Sequence, residues 1–259
     1  MPKSQFTTQL IANIIFRIKR KGFRSPQVKL LIFTGTVGKT TLRDAVAFGL
    51  KSKGYKVESN NLGYSNEVGI LLTILGVEKF SAKNLYDWLK VIRARINEEK
   101  FACVELGADF YRDIPWFLKR LKPTAVFISG IAEKDWTDKA ESISNDRKKL
   151  LRSVPKSGFI VYNVDDSPTK RLVEISGIKA KKTTFSLKDK SASIYAKDWS
   201  KNIFSLPLEK AFHKEEFVDI IYNDRLCRVT INRPLFEPQI YAILAALSFI
   251  AALTGEQIS

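Results

Sequence analysis

A chain of 259 residues suffices for one large domain or two small ones, and 45% hydrophobic content permits a sizeable buried core. Its two cysteines, Cys103 and Cys227, exclude a disulfide framework and a cysteine-built zinc site; both sit in apolar runs that read as buried thiols of a cytoplasmic protein. The net charge of +16 suits phosphate-bearing ligands, nucleic acid or an anionic membrane without choosing between them, and no nucleic-acid-binding signature accompanies it.

The elements alternate along the chain. In the first segment Leu10, Ile11, Ile14, Ile15 and Ile18 recur at helical spacing, followed by Arg17, Lys19, Arg20, Lys21 and Arg24. A secretory signal has its cations before the apolar run, not after it. A helix packed on the domain or on a partner is expected, with a membrane-surface helix as the alternative. Residues 28–33 form an apolar strand, and 39–53 a helix with Leu42, Ala45, Val46 and Leu50 on one face, ended by Gly54. A short strand at 55–59 and a helix at 66–75, stopped by Gly76, come next. Ser81 is the expected N-cap of a longer helix that turns Leu85, Trp88, Leu89, Ile92 and Ile96 to the core. Strands at 101–106, 124–129 and 158–164 alternate with helices near 114–121 and 139–152. Beyond about residue 180, strand candidates at 183–187, 194–197, 217–222 and 226–231, with a turn at Asn223–Asp224, read as a small antiparallel sheet. The apolar run 240–253 reads as a buried helix, too short to span a bilayer comfortably. The expected class is therefore α/β: a P-loop-containing, mostly parallel sheet flanked by helices, with an added antiparallel region at about 180–235.

The decisive segment is Phe33-Thr34-Gly35-Thr36-Val37-Gly38-Lys39-Thr40-Thr41, which follows a strand and opens a helix. Glycines let backbone N–H groups turn inward around phosphate oxygens, and the helix start adds positive partial charge. Lys39 can neutralise β- and γ-phosphates, and the Thr40 hydroxyl can ligate Mg²⁺. The standard phosphate-loop pattern wants glycine where Phe33 stands, so the generic motif fails by one residue. Glu105 ends the next apolar strand, placed either to help hold Mg²⁺ or to form a cap or salt bridge. Asp109 and Asp113 are weaker candidates. Asn163, Asp165 and Asp166 follow another strand end and either contact a ribose or base or begin the next helix.

The run Thr34–Thr41 resembles the ATP-binding signature of the Mur ligases. So do the asparagine-rich segment at 61–70 (Asn61, Asn66 and Glu67 among it), the run Glu105-Leu106-Gly107-Ala108, the run Tyr162-Asn163-Val164-Asp165-Asp166 and the run Leu244-Ala245-Ala246, in the family's order and spacing. Coverage runs from about Lys29 to Gly255, and the branch that adds D-alanyl-D-alanine to a muramyl tripeptide is the most similar. The resemblance implies a central ATP-binding domain at 28–259, preceded by the basic amphipathic helix that the spacing marks at 1–27. It implies ATP and Mg²⁺ as cofactors, a nucleotide cradle of Gly35, Thr36, Val37, Gly38, Lys39, Thr40, Thr41, Asn163 and Asp165, metal ligands Thr40 and Glu105, and catalytic roles for Lys39, Glu105 and Asp135. The implied reaction is amide-bond formation through an acyl phosphate in cell-wall peptide synthesis.

The sequence departs from the family pattern at three places. Asp135 stands where the family has a histidine, and the only histidine, His213, has no match. Arg147 stands where the family has a lysine, carbamylated in several members, with Lys148 adjacent; arginine cannot form a carbamate. Pro238, Gln239 and Ala242 replace the family's Gly-x-His-Asn and later Asn. Acceptor-binding and lid domains are also expected to come from elsewhere, in a further domain or a partner chain. The alternative expectation is a catalytically degenerate, regulatory ATP-binding module.

Overall fold

The structure, a computed structural model, describes residues 3–59, 66–96, 98–106, 113–131, 140–199, 216–231 and 236–256. Among these, one nine-stranded sheet runs in the order β2-β3-β1-β4-β5-β6-β7-β8-β9. Its parallel strands are β1 (Val28–Thr34), β2 (Val57–Ser59), β3 (Lys100–Glu105), β4 (Ala125–Ile128), β5 (Phe159–Asn163), β6 (Lys181–Ser186) and β7 (Ile194–Trp199). β8 (Glu216–Tyr222) and β9 (Arg225–Ile231) close it as an antiparallel hairpin, turning through Asn223 and Asp224 with φ of 49° and 60°.

Both faces of the parallel part are buried, and side-chain alternation divides the core in two. Leu30 and Ile32 of β1, Ala102 and Val104 of β3 and Val126 and Ile128 of β4 face one layer of helices. That layer holds α1 (Lys3–Phe23), α3 (Glu67–Leu75), α4 (Leu85–Arg93), α5 (Asp113–Leu118), α6 (Ala140–Arg152) and α7 (Ser167–Ile175). Leu31, Phe33, Cys103 and Phe127 face the other layer, built from α2 (Lys39–Ser52) and α8 (Glu237–Thr254). There Phe33 stacks on Phe127 at 4.6 Å and Phe249 meets Phe127 edge-on at 4.9 Å. α8 is apolar and long enough to cross a membrane by length and composition, but Ile240, Leu244, Ala245 and Phe249 are fully buried against the sheet, so it is a core helix.

Three expectations need correction. The strand expected at 183–187 is not antiparallel: α7 carries the chain from β5 back to a parallel β6. The next strand, β7, is parallel too, because it overlaps β6 only at Phe185↔Ile194 and Ser186↔Tyr195. The chain simply steps sideways, so no long crossover is needed. The antiparallel part thus comprises β7, β8 and β9, paired β7–β8 and β8–β9 on the same sheet. Second, Ser81 does not cap α4; the Asn84 side chain does, accepting from the Tyr86 N–H at 2.9 Å. Third, the expected core face of α4 is only half right: Trp88 and Ile96 pack on the core, but Leu85 is 76% exposed and Ile92 50%, while Val91 and Asp87 are buried. The Asp87 carboxylate accepts from the Ser81 N–H and from Lys90, and this fixes the helix's rotation.

α1 packs on the first layer through Ala12, Ile15, Phe16 and Phe23. Lys19 donates to the Ala94 carbonyl at 2.8 Å and Gln9 to the buried Glu67 at 3.0 Å.

Candidate functional site

The strand order changes direction around β1: the chain goes from β1 to β2 and β3 on one side, then crosses to β4 on the other. A crevice opens there at the carboxyl ends of the strands, where open α/β sheets bind ligands. The glycine loop lies in it. Thr34 still belongs to β1 and Lys39 begins α2, so the loop proper is Gly35–Gly38. Phe33 is fully buried in the sheet core. A glycine is not required at that position, which accounts for the failed generic motif.

Segment 129–130, just after β4, braces the loop. Thr36 N–H donates to the Gly130 carbonyl at 2.8 Å, and Ser129 Oγ donates to the Val37 carbonyl. Gly35 has φ +137°, and a Cβ there would lie 2.3 Å from Ser129 Oγ and 2.7 Å from the Gly130 oxygen. Only glycine fits. Gly38 is the N-cap of α2 in the left-handed region, and neither a side-chain cap nor an acidic residue serves the first turn. The positive end of α2 is left to a ligand, and phosphate is the chemistry that suits it. Lys39 Nζ folds over the loop, donating to the Gly35 and Thr36 carbonyls at 3.0 and 3.3 Å.

Glu105 lies beside Phe33 in the β1–β3 register. Its Oε1 pairs with Arg43 Nη1 at 2.8 Å, and Arg43 also donates twice to Asp44 Oδ1. No motif in the sequence marks Arg43; it stands one turn beyond Thr40 and is 3% exposed. The salt-bridge reading of Glu105 therefore holds, and a metal there would share the carboxylate with a guanidinium. No group of three or more metal-ligating side chains occurs among the described residues. Thr40 and Glu105 still fit Mg²⁺, an ion that takes one or two protein ligands and completes its shell with phosphates and water.

Beside the loop is a cavity of about 370 Å³ whose walls include Val37, Gly130, Asn163, Asp166, Phe185 and Tyr241. Asn163 and Asp166 face it. Asp165 is occupied structurally: its carboxylate accepts from Ser186 Oγ at 2.6 Å, Leu187 N at 2.7 Å and the Tyr241 hydroxyl at 3.0 Å. Burial and then the Asp165 charge push the Tyr241 phenol well above its usual value, so it stays a donor. Asp166 Oδ2 accepts from Thr169 N, capping α7, and from Ile131 N, each at 3.0 Å. It thereby holds the segment that braces the loop. The sequence had offered Asp165 and Asp166 together; only Asp166 lines the cavity. Ser129 and Tyr241 were missed, and the β4-end and α8 positions that bring them here carry no motif.

Arg147 is buried on α6, with Lys148 beside it partly exposed. Asp135, His213, Asp109, Gly107, Ala108 and residues 61–65 lie outside the described residues.

A family model described as the Mur ligase middle domain matches residues 33–221. The chain is 24% identical over 141 residues to the UDP-N-acetylmuramoyl-tripeptide–D-alanyl-D-alanine ligase of Buchnera aphidicola, covering 53% of this chain and 26% of that protein. The Haemophilus influenzae protein of the same name is 24% identical over 143 residues, covering 53% and 27%. Among solved structures, the D-alanyl-D-alanyl ligase of Acinetobacter baumannii superposes with a TM-score of 0.69 at 16% identity, over 97% of this chain and 48% of that one. MurF ligase from Thermotoga maritima in complex with ADP gives 0.68 at 17% identity, over 98% and 51%. The matches thus span about a quarter of the curated relatives and half of the solved chains. With the family model matching most of the chain, glycine loop included, the chain belongs to the Mur ligase family through its middle domain.

Proposed function

We propose that this chain is the ATP-binding middle domain of an ATP-dependent carboxylate–amine ligase, acting in the cytoplasm on a peptidoglycan peptide precursor. The observation that carries it is the Gly35–Gly38 loop, clamped by segment 129–130 and opening α2 beside the Asn163–Asp166 cavity. The relatives' names supply the substrate class, and the solved relative with ADP supports the nucleotide. The acceptor's carboxylate oxygen attacks the γ-phosphorus of ATP, forming an acyl phosphate and releasing ADP. An amine then attacks the acyl carbon, and inorganic phosphate leaves as the amide forms.

This chain's part is positioning and charge. Loop N–H groups and the start of α2 hold the phosphates. Lys39 exchanges its loop carbonyls for phosphate oxygens. Asn163 and Asp166 offer hydrogen bonds to the nucleoside side of the cavity. Thr40 and Glu105 would hold Mg²⁺, which supplies charge neutralisation of the phosphates. Acceptor and amine sites come from outside the described residues.

The test is calorimetric titration of Mg-ATP into wild type and Lys39→Ala. Charge-assisted hydrogen bonds from Lys39 are worth about 1.5–3 kcal/mol, so affinity should fall about 10- to 150-fold. Equal affinity would remove Lys39 from the phosphate site.

A second reading, a regulatory ATP-binding module without turnover, is favoured by one observation: the buried Arg147 takes the place where the family resemblance expects a carbamylated lysine. Phosphate release that depends on acceptor when complementary family domains are added, in cis or in trans, would exclude it. ATP binding without turnover under every such supplement would support it.

A further inference from the structure

At the end of the sheet opposite the glycine loop, α1 leads into the start of β1 and residues 119–124 lead into the start of β4. The length of the seven-residue β1 separates the two ends, about 20 Å. Two hollows flank α1 here. One, about 380 Å³, is walled by Arg17, Arg20, Arg24, Lys119 and Arg120 together with Asn13 and Phe16. The other, about 540 Å³, is walled by Arg17, Lys19, Arg20, Lys21 and Arg95 together with Ile18 and Ile96. Among the described residues, no acidic side chain lines either.

The first hollow is built rather than incidental. The Arg120 guanidinium donates to Asn13 Oδ1 at 2.8 Å and to the Trp116 carbonyl at 3.0 Å, and it lies 4.4 Å over the Trp116 ring. Trp116 donates to the same Asn13 oxygen. A planar cation is thus fixed at the back, with Arg17, Arg20 and Lys119 exposed around it. Burial lowers the Arg120 pKa, Glu67 opposes the shift, and an arginine so placed remains charged. Cations gathered without carboxylates repel one another, and an anion relieves the repulsion.

The exposed side of α1 also carries an aliphatic stripe, whose last residue, Ile18, lines the second hollow. Leu10, Ile14 and Ile18 follow at intervals of four residues and are 51%, 39% and 45% exposed. Cations flanking an aliphatic stripe match one surface in both respects, since anionic phospholipid presents phosphates above hydrocarbon. A nucleic acid would use the cations but leave the aliphatic stripe in water. A second copy, carrying the same +16 charge, would meet like charge with like.

We propose that this end of the molecule docks on an anionic phospholipid surface, the two hollows taking headgroup phosphates while Leu10, Ile14 and Ile18 enter the acyl boundary. The inference is independent of the nucleotide site.

The experiment is co-sedimentation of the whole chain with phosphatidylglycerol–phosphatidylcholine vesicles and with phosphatidylcholine alone. The proteins compared are wild type, an Arg17→Glu/Arg20→Glu/Lys119→Glu variant and a Leu10→Ser/Ile14→Ser/Ile18→Ser variant. All the substituted side chains are exposed, and circular dichroism with thermal midpoints checks that each variant folds. Wild type should partition onto the anionic vesicles only. Each cation near such a surface contributes roughly fivefold, so the charge variant should bind at least about 100-fold more weakly. The serine variant should lose about tenfold or more. Absence of partitioning, equal partitioning onto neutral vesicles, or anionic binding unaffected by the serine changes would overturn the proposal; the last would point to a soluble polyanion. A dimer in sedimentation velocity that the serine variant abolishes would overturn it in favour of a second copy.

Discussion

Arg43 is the residue on which the phosphate-loop helix and the neighbouring strand depend together. Its side chain is 4% exposed and that of Glu105 14%, so solvent screens their 2.8 Å contact little. Removing one partner of such a pair leaves a buried charge uncompensated, at a cost of about 3–5 kcal/mol. Arg43→Ala should lose about 3 kcal/mol in urea unfolding, more than Asp44→Ala, whose carboxylate is 55% exposed. Similar losses for the two would show that the Glu105 contact contributes nothing. Cys103 makes the second case. Burial pushes its thiol up to about 12, only partly offset by Arg43, whereas an unfolded cysteine titrates near 8.5. Being an acid with a raised folded pKa, it contributes stability that is whole below about pH 8.5 and is lost as pH climbs toward 12. A thiol reagent at pH 8 should leave Cys103 unlabelled in the native protein and label it after unfolding; rapid native labelling would contradict the burial. The thiol's burial was legible from its apolar run. The Arg43–Glu105 pair was not, because it arises from the register of β1 on β3 and the rotation of α2.

At the scale of elements, legibility follows whether local chemistry or packing decides. The hairpin turn was readable because asparagine and aspartate tolerate the left-handed region. Both residues occupy it, and aspartate does so less readily than glycine. Asp224→Gly should therefore stabilise the protein by about 0.5–1 kcal/mol in denaturant unfolding, since Asn-Gly is the preferred pair for this turn. Unchanged or lowered stability would mean that the Asp224 side chain supports the hairpin in some other way. The stop of α3 was also readable, since Gly76 closes it with φ +71°, and of the two roles open to Asp166 the start of a helix holds, its carboxylate accepting from Thr169 N. The face of α4 was readable only in part, at Trp88 and Ile96. Its apolar spacing is as regular as that of α2, but Asp87 and Val91 take the inside and leave Leu85 and Ile92 out. Periodicity gives the stripe, and only the neighbours decide what covers it. β6 was misplaced for a related reason: the sequence marks a strand, while its direction depends on α7 serving as a crossover.

For the whole molecule, the site's position follows from topology more than from motif. The glycine loop was legible residue by residue, yet the residues that complete it come from the ends of β4 and β5 and the start of α8, more than 90 positions away in the chain for Ser129. A ligand seated there joins three parts of the fold, and its binding should register as global stability. At a Mg-ATP concentration 100 times the dissociation constant, linkage adds about 2.7 kcal/mol. For a domain of this size that raises the thermal midpoint by about 5–10 °C. Lys39→Ala, with affinity lowered about 10- to 150-fold, should keep only about 0.3–1.4 kcal/mol at the same concentration, a rise of no more than about 5 °C. Thermal scans of both proteins with and without Mg-ATP separate the cases. Equal shifts would place the nucleotide away from the glycine loop, and no shift in either would mean that binding needs more than this domain supplies.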